Sequence, residues 1–373
     1  MPSFIKKIRF IFLCILAPLF SVLLGAEFCI RLFSSSGYIT PKILRERSFQ
    51  TVPAVFARSV LPEMAQTVRA SSHTVANINA RGYRGKNFAV PKPEGTLRIL
   101  IYGGSSVFDI YASEGNDWPH LVEKKLRSLG VSNAEIINAG ILGHSSADAF
   151  GRFFAEGHLF DPDYVVMYAA WNDMKYFARN ESLLRLFKPT QGHPLYYYQG
   201  FLDQFLCEHS QLYVRLRYRY ILSKNRMTLE GNSPGAHSSV ISANALRQYR
   251  LTLETFVDMV RNAHAKPVLA LEAHLLVPHN TTADYAAINF ESQELTPQAL
   301  LQATEMAESI TRAVAKSKHA ALIDASSMMS GKRDYFADHV HTSPAGSHKL
   351  AEIMADALYQ IILAEQPHKA VAH

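Results

Sequence analysis

The stretch ILIYGGSSVFD, residues 99–109, decides the fold because its local pattern changes abruptly at two glycines. The first residues form an apolar run of the kind that suits a strand buried on both faces. Gly103 and Gly104 permit a sharp turn, and apolar residues return after Ser105 and Ser106. The stretch therefore predicts a strand, a turn and the start of a helix, with two hydroxyl groups at the carboxyl end of the strand.

Further apolar runs predict four more buried strands, at 134–140, 164–170, 266–274 and 320–326. Patterns with helical periodicity lie between and after these runs, at 118–130, 242–265, 296–319 and 343–365. Strands that alternate with helices predict a parallel sheet covered on both faces. We therefore expect an α/β fold with three α/β/α layers and functional loops at the carboxyl ends of the strands.

The composition is that of a packed globular protein rather than a disordered one. Of the 373 residues, 48% are hydrophobic and 19% are charged. The net charge of +6 is spread along the chain without a dense basic run, so no nucleic-acid partner is expected. Three cysteines are too few for a disulfide framework.

The N-terminus predicts a membrane anchor. A basic segment, residues 1–9, precedes the apolar segment FIFLCILAPLFSVLLGA, residues 10–26. We expect residues 1–33 to form an uncleaved single-pass transmembrane helix, with the rest of the chain outside the cytoplasm, in the periplasm or its equivalent. The alternatives are a cleaved signal peptide, for which Leu24 is a poor residue two positions before Ala26, and a buried core helix.

The remaining chain divides by composition. Residues 34–80 are expected to be a stem or linker, residues 81–365 the main domain, and residues 366–373 a tail. Residues 174–240 interrupt the alternation of strands and helices, and they are expected to form a helical cap with packed aromatic residues and solvated arginines. Alternatively, these aromatic residues and arginines line a sugar-binding groove or contact a membrane.

The polar residues at the predicted strand ends favour acyl transfer over phosphate binding. Neither a G-x-G-x-x-G pattern nor a lysine follows Gly104, which argues against a dinucleotide or nucleotide site. His341 could accept a proton from a serine hydroxyl, and Asp338, three residues earlier, could fix the tautomer of that histidine. Main-chain N–H groups at a serine and a glycine, together with the Asn172 amide, could stabilise an oxyanion.

Four blocks resemble the SGNH or GDSL hydrolases: GGS (103–105), NAGILG (138–143), AWND (170–173) and DHVH (338–341). The resemblance covers about residues 77–365. It implies a nucleophilic Ser105, assisted by His341 and Asp338, with an oxyanion hole formed by Ser105, Gly143 and Asn172. It also implies a five-stranded, mostly parallel, flavodoxin-like sheet, metal-free ester hydrolysis without a cofactor, and an acyl-serine intermediate.

The chain departs from the family pattern at three positions. Ala170 replaces a glycine in the third block, and Gly104 stands before the serine where an acidic or polar residue is usual. Thr342 follows His341, where a leucine is frequent. The change from glycine to Ala170 could narrow the active site.

Several residues have alternative interpretations. Ser145, in GHSSA (143–147), resembles the nucleophile of a G-x-S-x-G elbow, but it would also suit a helix N-cap. Ser106 could likewise be the nucleophile or a helix cap. Asp338, His339 and His341 could together bind a metal. Finally, His274 is a candidate substrate contact, whereas Asp109 and Asp173 are expected to cap helices or join surface networks; these three lie near the expected active face.

The expected function is that of a membrane-anchored serine esterase. Its substrate would be an O-acyl ester, most simply an O-acetyl ester, of a small molecule or an envelope glycan. One alternative is an O-acetyltransferase that uses the same triad to modify a polysaccharide. The other is a non-catalytic envelope protein that binds glycan through residues 174–240.

Overall fold

The computed structural model describes residues 14, 16–33, 66–69, 75–178, 198–231, 237–288, 290 and 293–365. Its strands are β1 (Gln66–Arg69), β2 (Val75–Ile78), β3 (Leu97–Gly103), β4 (Ala134–Gly140), β5 (Tyr164–Tyr168), β6 (Lys266–Leu271) and β7 (Ala321–Asp324). Its α-helices are α1 (Ala17–Phe33), α2 (Ser105–Phe108), α3 (Trp118–Ser128), α4 (Ser146–Ala155), α5 (Trp171–Met174), α6 (Phe201–His209), α7 (Gln211–Gly231), α8 (Ala243–Asn262), α9 (Thr282–Ala286), α10 (Pro297–Ser317), α11 (Ala325–Met329) and α12 (Pro344–Glu365). Short 3₁₀ helices lie at Gly157–Phe160 and Arg333–Tyr335.

The main sheet contains five parallel strands in the order β4-β3-β5-β6-β7. Counted along the chain from β3, this is the order 2-1-3-4-5 of flavodoxin-like sheets. The predicted α/β fold class and the parallel sheet are therefore confirmed, and the five predicted apolar runs each supply one strand.

Burial of β3 shows that both faces of the sheet are covered. Ile99, Leu100, Ile101 and Tyr102 are consecutive and fully buried, although neighbouring side chains of a strand point to opposite faces. On one side α3 packs against α12, and on the other α8 packs against α4 and α10. The right-handed crossovers of a parallel sheet place these two groups on opposite faces.

The register brings the functional loops to one edge. Gly103, the last residue of β3, pairs with Gly140 of β4 and with Tyr168 of β5. A Cβ atom on Gly103 would lie 2.1 Å from the Tyr168 carbonyl oxygen, so this position needs glycine for the strands to end side by side. The loops that follow the three strands consequently start next to one another.

The N-terminal segment differs from the expected anchor. Helix α1 carries Glu27, whose carboxylate accepts hydrogen bonds from the main-chain N–H groups of Gln211 and Leu212 at the start of α7. Across the ranges given above, no helix combines the length and apolar character needed to cross a membrane. Residues 1–13 of the expected anchor lie outside the described residues, so membrane anchoring is not confirmed and the extracytoplasmic location stays a prediction.

Part of the expected stem is structured. Strands β1 and β2 pair in antiparallel fashion, and Ala76 and Ile78 of β2 pack on Phe108 at the end of α2. Residues 34–65 and 70–74 of the stem lie outside the described residues.

The described part of the insertion contains helices α6 and α7, but some of its side chains are arranged differently from the prediction, and residues 179–197 and 232–236 lie outside the described residues. In α6, Phe201 is 83% exposed. In α7, by contrast, Arg217 is buried and its guanidinium forms an ion pair with Asp203 at 2.7 Å. The prediction of packed aromatic residues and solvated arginines is therefore wrong for these residues, because the acidic partner allows Arg217 to be buried.

Candidate active site

The loop before α12 brings an acid and a base to the serine that begins α2. His341 Nε2 lies 2.6 Å from Ser105 Oγ, and His341 Nδ1 lies 2.7 Å from Asp338 Oδ2. With its Nδ1 proton directed at Asp338, the imidazole presents Nε2 as the acceptor for the serine hydroxyl. The three residues predicted from GGS and DHVH are thus in one hydrogen-bonded series.

Asp338 is held as a carboxylate. Burial alone would raise its pKa, but hydrogen bonds from the His341 ring and from the main-chain N–H groups of Val340 and His341 outweigh burial. The pKa of Asp338 therefore lies well below its ordinary value. An ionised Asp338 can both orient the imidazole and stabilise the imidazolium that forms on proton transfer.

A buried carboxyl connects the serine helix to the histidine loop. Asp109, directly after α2, accepts hydrogen bonds from the Thr342 hydroxyl at 2.9 Å and the Ser347 hydroxyl at 2.7 Å. Burial raises the pKa of Asp109 to about 6. Thr342, which departs from the family pattern, is explained by this contact, since a leucine at this position could not donate the bond. Of the two roles expected for Asp109, the helix-capping one is supported, since its carboxylate accepts from the main-chain N–H of Trp118 at the start of α3, and its network is buried rather than on the surface.

Of the predicted oxyanion donors, Ser105 and Asn172 line one pocket, and Gly143 directly precedes His144, whose carbonyl oxygen accepts a hydrogen bond from Asn172. Gly143 has a φ of +78°, and open space lies where its Cβ would be. The Asn172 amide nitrogen donates to the His144 carbonyl oxygen at 3.0 Å, which leaves its second hydrogen for another acceptor. A Cβ atom on Gly104 would approach that nitrogen to 2.5 Å, so Gly104 provides room for the amide beside Ser105.

A pocket of about 210 Å³ opens at Ser105 and His341. Its wall includes Asn172 together with Lys175, which follows one turn later along the chain. His339 also lines the pocket, and its ring lies against that of Trp171 with the centroids 5.0 Å apart. The pocket can therefore accept a small group at the serine hydroxyl.

Glu272 is a functional candidate that the sequence analysis missed. Its buried carboxylate accepts a hydrogen bond from the Ser106 hydroxyl at 2.5 Å and from the main-chain N–H groups of Ala170 and Trp171, each at 2.7 Å. Glu272 thus joins the serine helix to the turn that carries Asn172. The available signal was a single acid at the end of an apolar strand, in KPVLALEAH (266–274).

Ser106 therefore does not cap α2. The N-cap residue is Gly104, which makes no side-chain cap, and the Ser106 hydroxyl points to Glu272 instead. Burial raises the pKa of Glu272, although its three hydrogen bonds oppose the shift. The interpretation of Ser106 as a helix cap is wrong, because the buried carboxylate takes its hydroxyl hydrogen.

Ser145 and Ser146 both donate their hydroxyl hydrogens to carboxyl groups. Ser145 caps α4 in a capping box with Asp148, and its hydroxyl donates to that carboxyl at 2.7 Å. Ser146 donates to Asp173 at 2.6 Å. The N-cap interpretation of Ser145 is confirmed, and Asp173 joins a buried network rather than a surface one.

His274 lies away from the pocket at Ser105. It is buried, its ring centroid is 5.7 Å from that of Trp171, and burial lowers its pKa to about 4. It therefore packs behind Trp171, and its expected role as a substrate contact finds no support in this position.

The alternative of a metal site at Asp338, His339 and His341 conflicts with the ring contacts. Both nitrogens of His341 face protein groups, Ser105 and Asp338. Within the part of the chain that the structure describes, no cluster of His, Cys, Asp and Glu side chains could hold a metal ion.

Comparison with known proteins identifies the family. The model of the GDSL-like lipase/acylhydrolase family matches residues 101–349, more than half of the chain and all of the region that bears the site. The chain belongs to the GDSL-like lipase/acylhydrolase family. Such proteins act on ester bonds, and this acylhydrolase is therefore an enzyme of that class.

Solved structures that match this chain at low identity include two lipases and an acetyl xylan esterase. The lipase/acylhydrolase from Enterococcus faecalis is 14% identical, with a TM-score of 0.44, and covers 71% of this chain and 97% of its own. The acetyl xylan esterase AlAXEase is 14% identical, with a TM-score of 0.41, covering 70% of this chain and 100% of its own. A GDSL-like lipase from Bacteroides thetaiotaomicron is 13% identical, with a TM-score of 0.39, covering 72% and 88%. A search of curated proteins found no significant match.

Proposed function

We propose that this acylhydrolase cleaves esters of short acyl groups through a Ser105–His341–Asp338 triad and a covalent acyl-serine. The observation that carries the proposal is the continuous series of contacts, 2.6 Å from Ser105 Oγ to His341 Nε2 and 2.7 Å from His341 Nδ1 to Asp338. This is the arrangement in which a serine hydroxyl becomes a nucleophile at neutral pH.

In the first half of the reaction, Ser105 Oγ attacks the ester carbonyl carbon while its proton passes to His341 Nε2. The carbonyl oxygen becomes an oxyanion, which the main-chain N–H groups of Ser105 and Gly143 and the free amide hydrogen of Asn172 would stabilise. Collapse of this intermediate breaks the ester C–O bond, and His341 returns the proton to the departing alcohol.

In the second half, water attacks the acyl-serine and gives its proton to His341 Nε2. The second tetrahedral intermediate releases the carboxylic acid, and the proton returns to Ser105 Oγ. Asp338 stays ionised throughout and holds the imidazole in one orientation.

The size of the pocket supports a short acyl group such as acetyl. Ligand pockets for drug-sized molecules usually measure about 300–1,000 Å³. The pocket at Ser105, at about 210 Å³, is smaller than that range. An O-acetyl ester fits this volume, and the glycan expected as its alcohol stays a prediction.

Labelling with a fluorophosphonate tests the nucleophile. We expect one adduct on the folded wild-type protein, which mass spectrometry would map to Ser105. The Ser105→Ala variant should lose the adduct, whereas Ser106→Ala and Ser145→Ala should keep it. An adduct at Ser145, or no adduct on the folded wild type, would overturn the proposal.

The reaction outcome needs a separate measurement. Incubation with an O-acetylated oligosaccharide should release acetate, with water as the acceptor of the acyl group. Transfer of the acetyl group to an added glycan, without release of acetate, would instead establish the transferase alternative.

A further inference from the structure

Lys175 gives the pocket a charge that the proposed reaction does not use. Its half-buried side chain lines the pocket with Ser105 and Asn172, and its Nζ donates to the Gly143 carbonyl oxygen at 3.3 Å. Nζ also lies 4.9 Å from the centroid of the Tyr176 ring. The ammonium group is thus adjacent to the glycine proposed as an oxyanion donor.

Two buried acids, Asp148 and Asp173, act on the Lys175 ammonium group without forming an ion pair with it. Asp148 and Asp173 attract the ammonium group, but their carboxyls are bound to Ser145 and Ser146. Burial raises the pKa of Asp148 to about 6 and that of Asp173 to about 7, so Asp173 is partly protonated near neutral pH. The pKa of Lys175 is itself lowered by burial, because the ammonium group has lost much of its water.

Glu272 and His339, which also line the pocket, do not form an ion pair with Lys175 either. The carboxylate of Glu272 is occupied by Ser106 and by the two main-chain N–H groups described above. Burial lowers the pKa of His339 to about 4, so its ring is neutral at pH 7. A desolvated cation in such a setting is stabilised by an anion that arrives with the substrate.

We propose that the pocket selects esters that carry a carboxylate close to the ester bond, and that Lys175 binds this carboxylate. The inference rests on the proposed function, since it concerns the substrate of the same site. The carboxylate belongs either to the alcohol, as in a uronate or hydroxy acid, or to the acyl group, as in a dicarboxylic half-ester. The ligand chemistry is the same in both cases.

Two pairs of esters separate these sources. The alcohol arm compares 4-acetoxybenzoate with neutral 4-acetoxybenzamide, and the acyl arm compares 4-nitrophenyl hemisuccinate with 4-nitrophenyl butyrate. For each pair, the ratio of kcat/KM for the anionic ester to that for the neutral ester is measured in the wild type, Lys175→Met and Lys175→Arg. Intrinsic differences in ester reactivity cancel when this ratio is compared between proteins.

In the arm whose carboxylate is placed as in the true substrate, we expect the ratio to fall by about tenfold or more in Lys175→Met. The reason is that a hydrogen-bonded charge is lost. Lys175→Arg should keep most of the preference, since arginine also binds carboxylates. Added salt should lower kcat/KM of the wild type more for the anionic ester than for the neutral one. This last measurement needs no variant and remains informative if Lys175→Met does not fold.

The inference is overturned if the ratio is the same in wild type and Lys175→Met in both arms, or if salt affects both esters equally. Failure of the proposed function would look different, because the wild type would then hydrolyse neither neutral ester. In that case, calorimetric titration of Ser105→Ala and of Ser105→Ala/Lys175→Met with 4-acetoxybenzoate and with 4-nitrophenyl hemisuccinate decides the inference alone. Equal Kd values in the two variants for both ligands would reject it, and a Kd about tenfold weaker in the double variant for either ligand would support it.

Discussion

The two serine pairs of this acylhydrolase occupy similar positions in the fold but have different hydrogen-bond partners. Ser105–Ser106 follows β3 and Ser145–Ser146 follows the neighbouring β4, and each pair stands at the start of a helix. The Ser105 hydroxyl meets an imidazole, His341 Nε2, whereas the Ser145 hydroxyl donates to Asp148 in the first turn of its own helix. A serine at a strand end is therefore assigned a role by its partner rather than by its position.

The carboxyl that orients His341 differs in its pKa from the carboxyls that bind the second serine pair. At the first pair, Asp338 acts through His341, and its hydrogen bonds hold its pKa below the ordinary value despite burial. At the second pair, burial dominates and raises the pKa of Asp173 to about 7. One region thus maintains a carboxylate beside a base, while the other uses carboxyls with raised pKa values as buried capping and hydrogen-bonding groups.

Asn172 provides the largest test of this comparison, because it contacts both regions. Replacing Asn172 by alanine removes the proposed amide donor beside Ser105, and we expect kcat to fall by about 10²–10³-fold. Asn172→Asp, which has nearly the same shape but lacks the amide hydrogens, should lose a comparable amount. Steady-state kinetics measures the loss, with thermal melting to confirm that both variants fold. A decrease of less than about threefold in both would exclude Asn172 from the oxyanion hole.

Substitution of Glu272 tests whether its carboxylate links Ser106, in the first serine pair, to the turn that bears Asn172. In Glu272→Ala, the N–H groups of Ala170 and Trp171 lose their acceptor, and the turn bearing Asn172 can shift relative to Ser105. We expect kcat to fall by about 10–100-fold with a smaller change in KM, since small misplacements of catalytic groups are costly. The protein should also lose about 1–3 kcal/mol of unfolding free energy.

Glu272→Gln is the matched control for that experiment. Its amide oxygen can accept the two N–H bonds and its NH₂ group can donate to Ser106, so most of kcat should return. An unchanged kcat in Glu272→Ala would show that this carboxylate only stabilises the fold.

The pH dependence of stability separates the second region from the first. The folded-state pKa of Asp173, about 7, lies above its ordinary value of 3.8, so its stabilising contribution is present at low pH and is lost as pH rises. Relative to Asp173→Asn, the wild type should lose unfolding free energy between about pH 4 and pH 7, at up to about 1.4 kcal/mol per pH unit. Urea titrations at several pH values measure the difference, and parallel pH curves for the two proteins would contradict the expectation.

Ser145 gives the smallest expected effect. Loss of the helix cap in Ser145→Ala should cost about 1 kcal/mol of stability and leave ester hydrolysis close to that of the wild type. Ser145→Asn, which can still cap the helix, should be closer to the wild type in a denaturant titration. If Ser145→Ala instead lost more than about tenfold in activity, the contrast between the two serine pairs would fail.

Much of the fold was predictable because its signals are local. Runs of apolar residues gave the five strands, and helical periodicity gave helices close to their observed bounds, as for 118–130 against Trp118–Ser128. The contact between Asp338 and His341 could also be predicted from the sequence, since residues three apart in one turn must lie close together.

The insertion shows where local signals failed. Aromatic residues were expected to be packed and arginines solvated, but Arg217 is buried with Asp203 and Phe201 is exposed. Hydropathy describes each side chain separately, whereas burial of a charge depends on whether a partner of opposite charge is present.

By itself, the sequence determined the α/β alternation, the strand-end positions of Ser105, Gly143 and Asn172, and the spacing of Asp338 and His341. Only the tertiary structure decided that Ser105 rather than Ser145 faces the imidazole, that Glu272 joins Ser106 to the Asn172 turn, and that Lys175 shares their pocket. The physical reason is how far apart along the chain the interacting groups lie. Periodicity and turns depend on neighbours in the chain, whereas a hydroxyl, a carboxylate or an ammonium takes its role from groups brought near it by the pairing of distant strands.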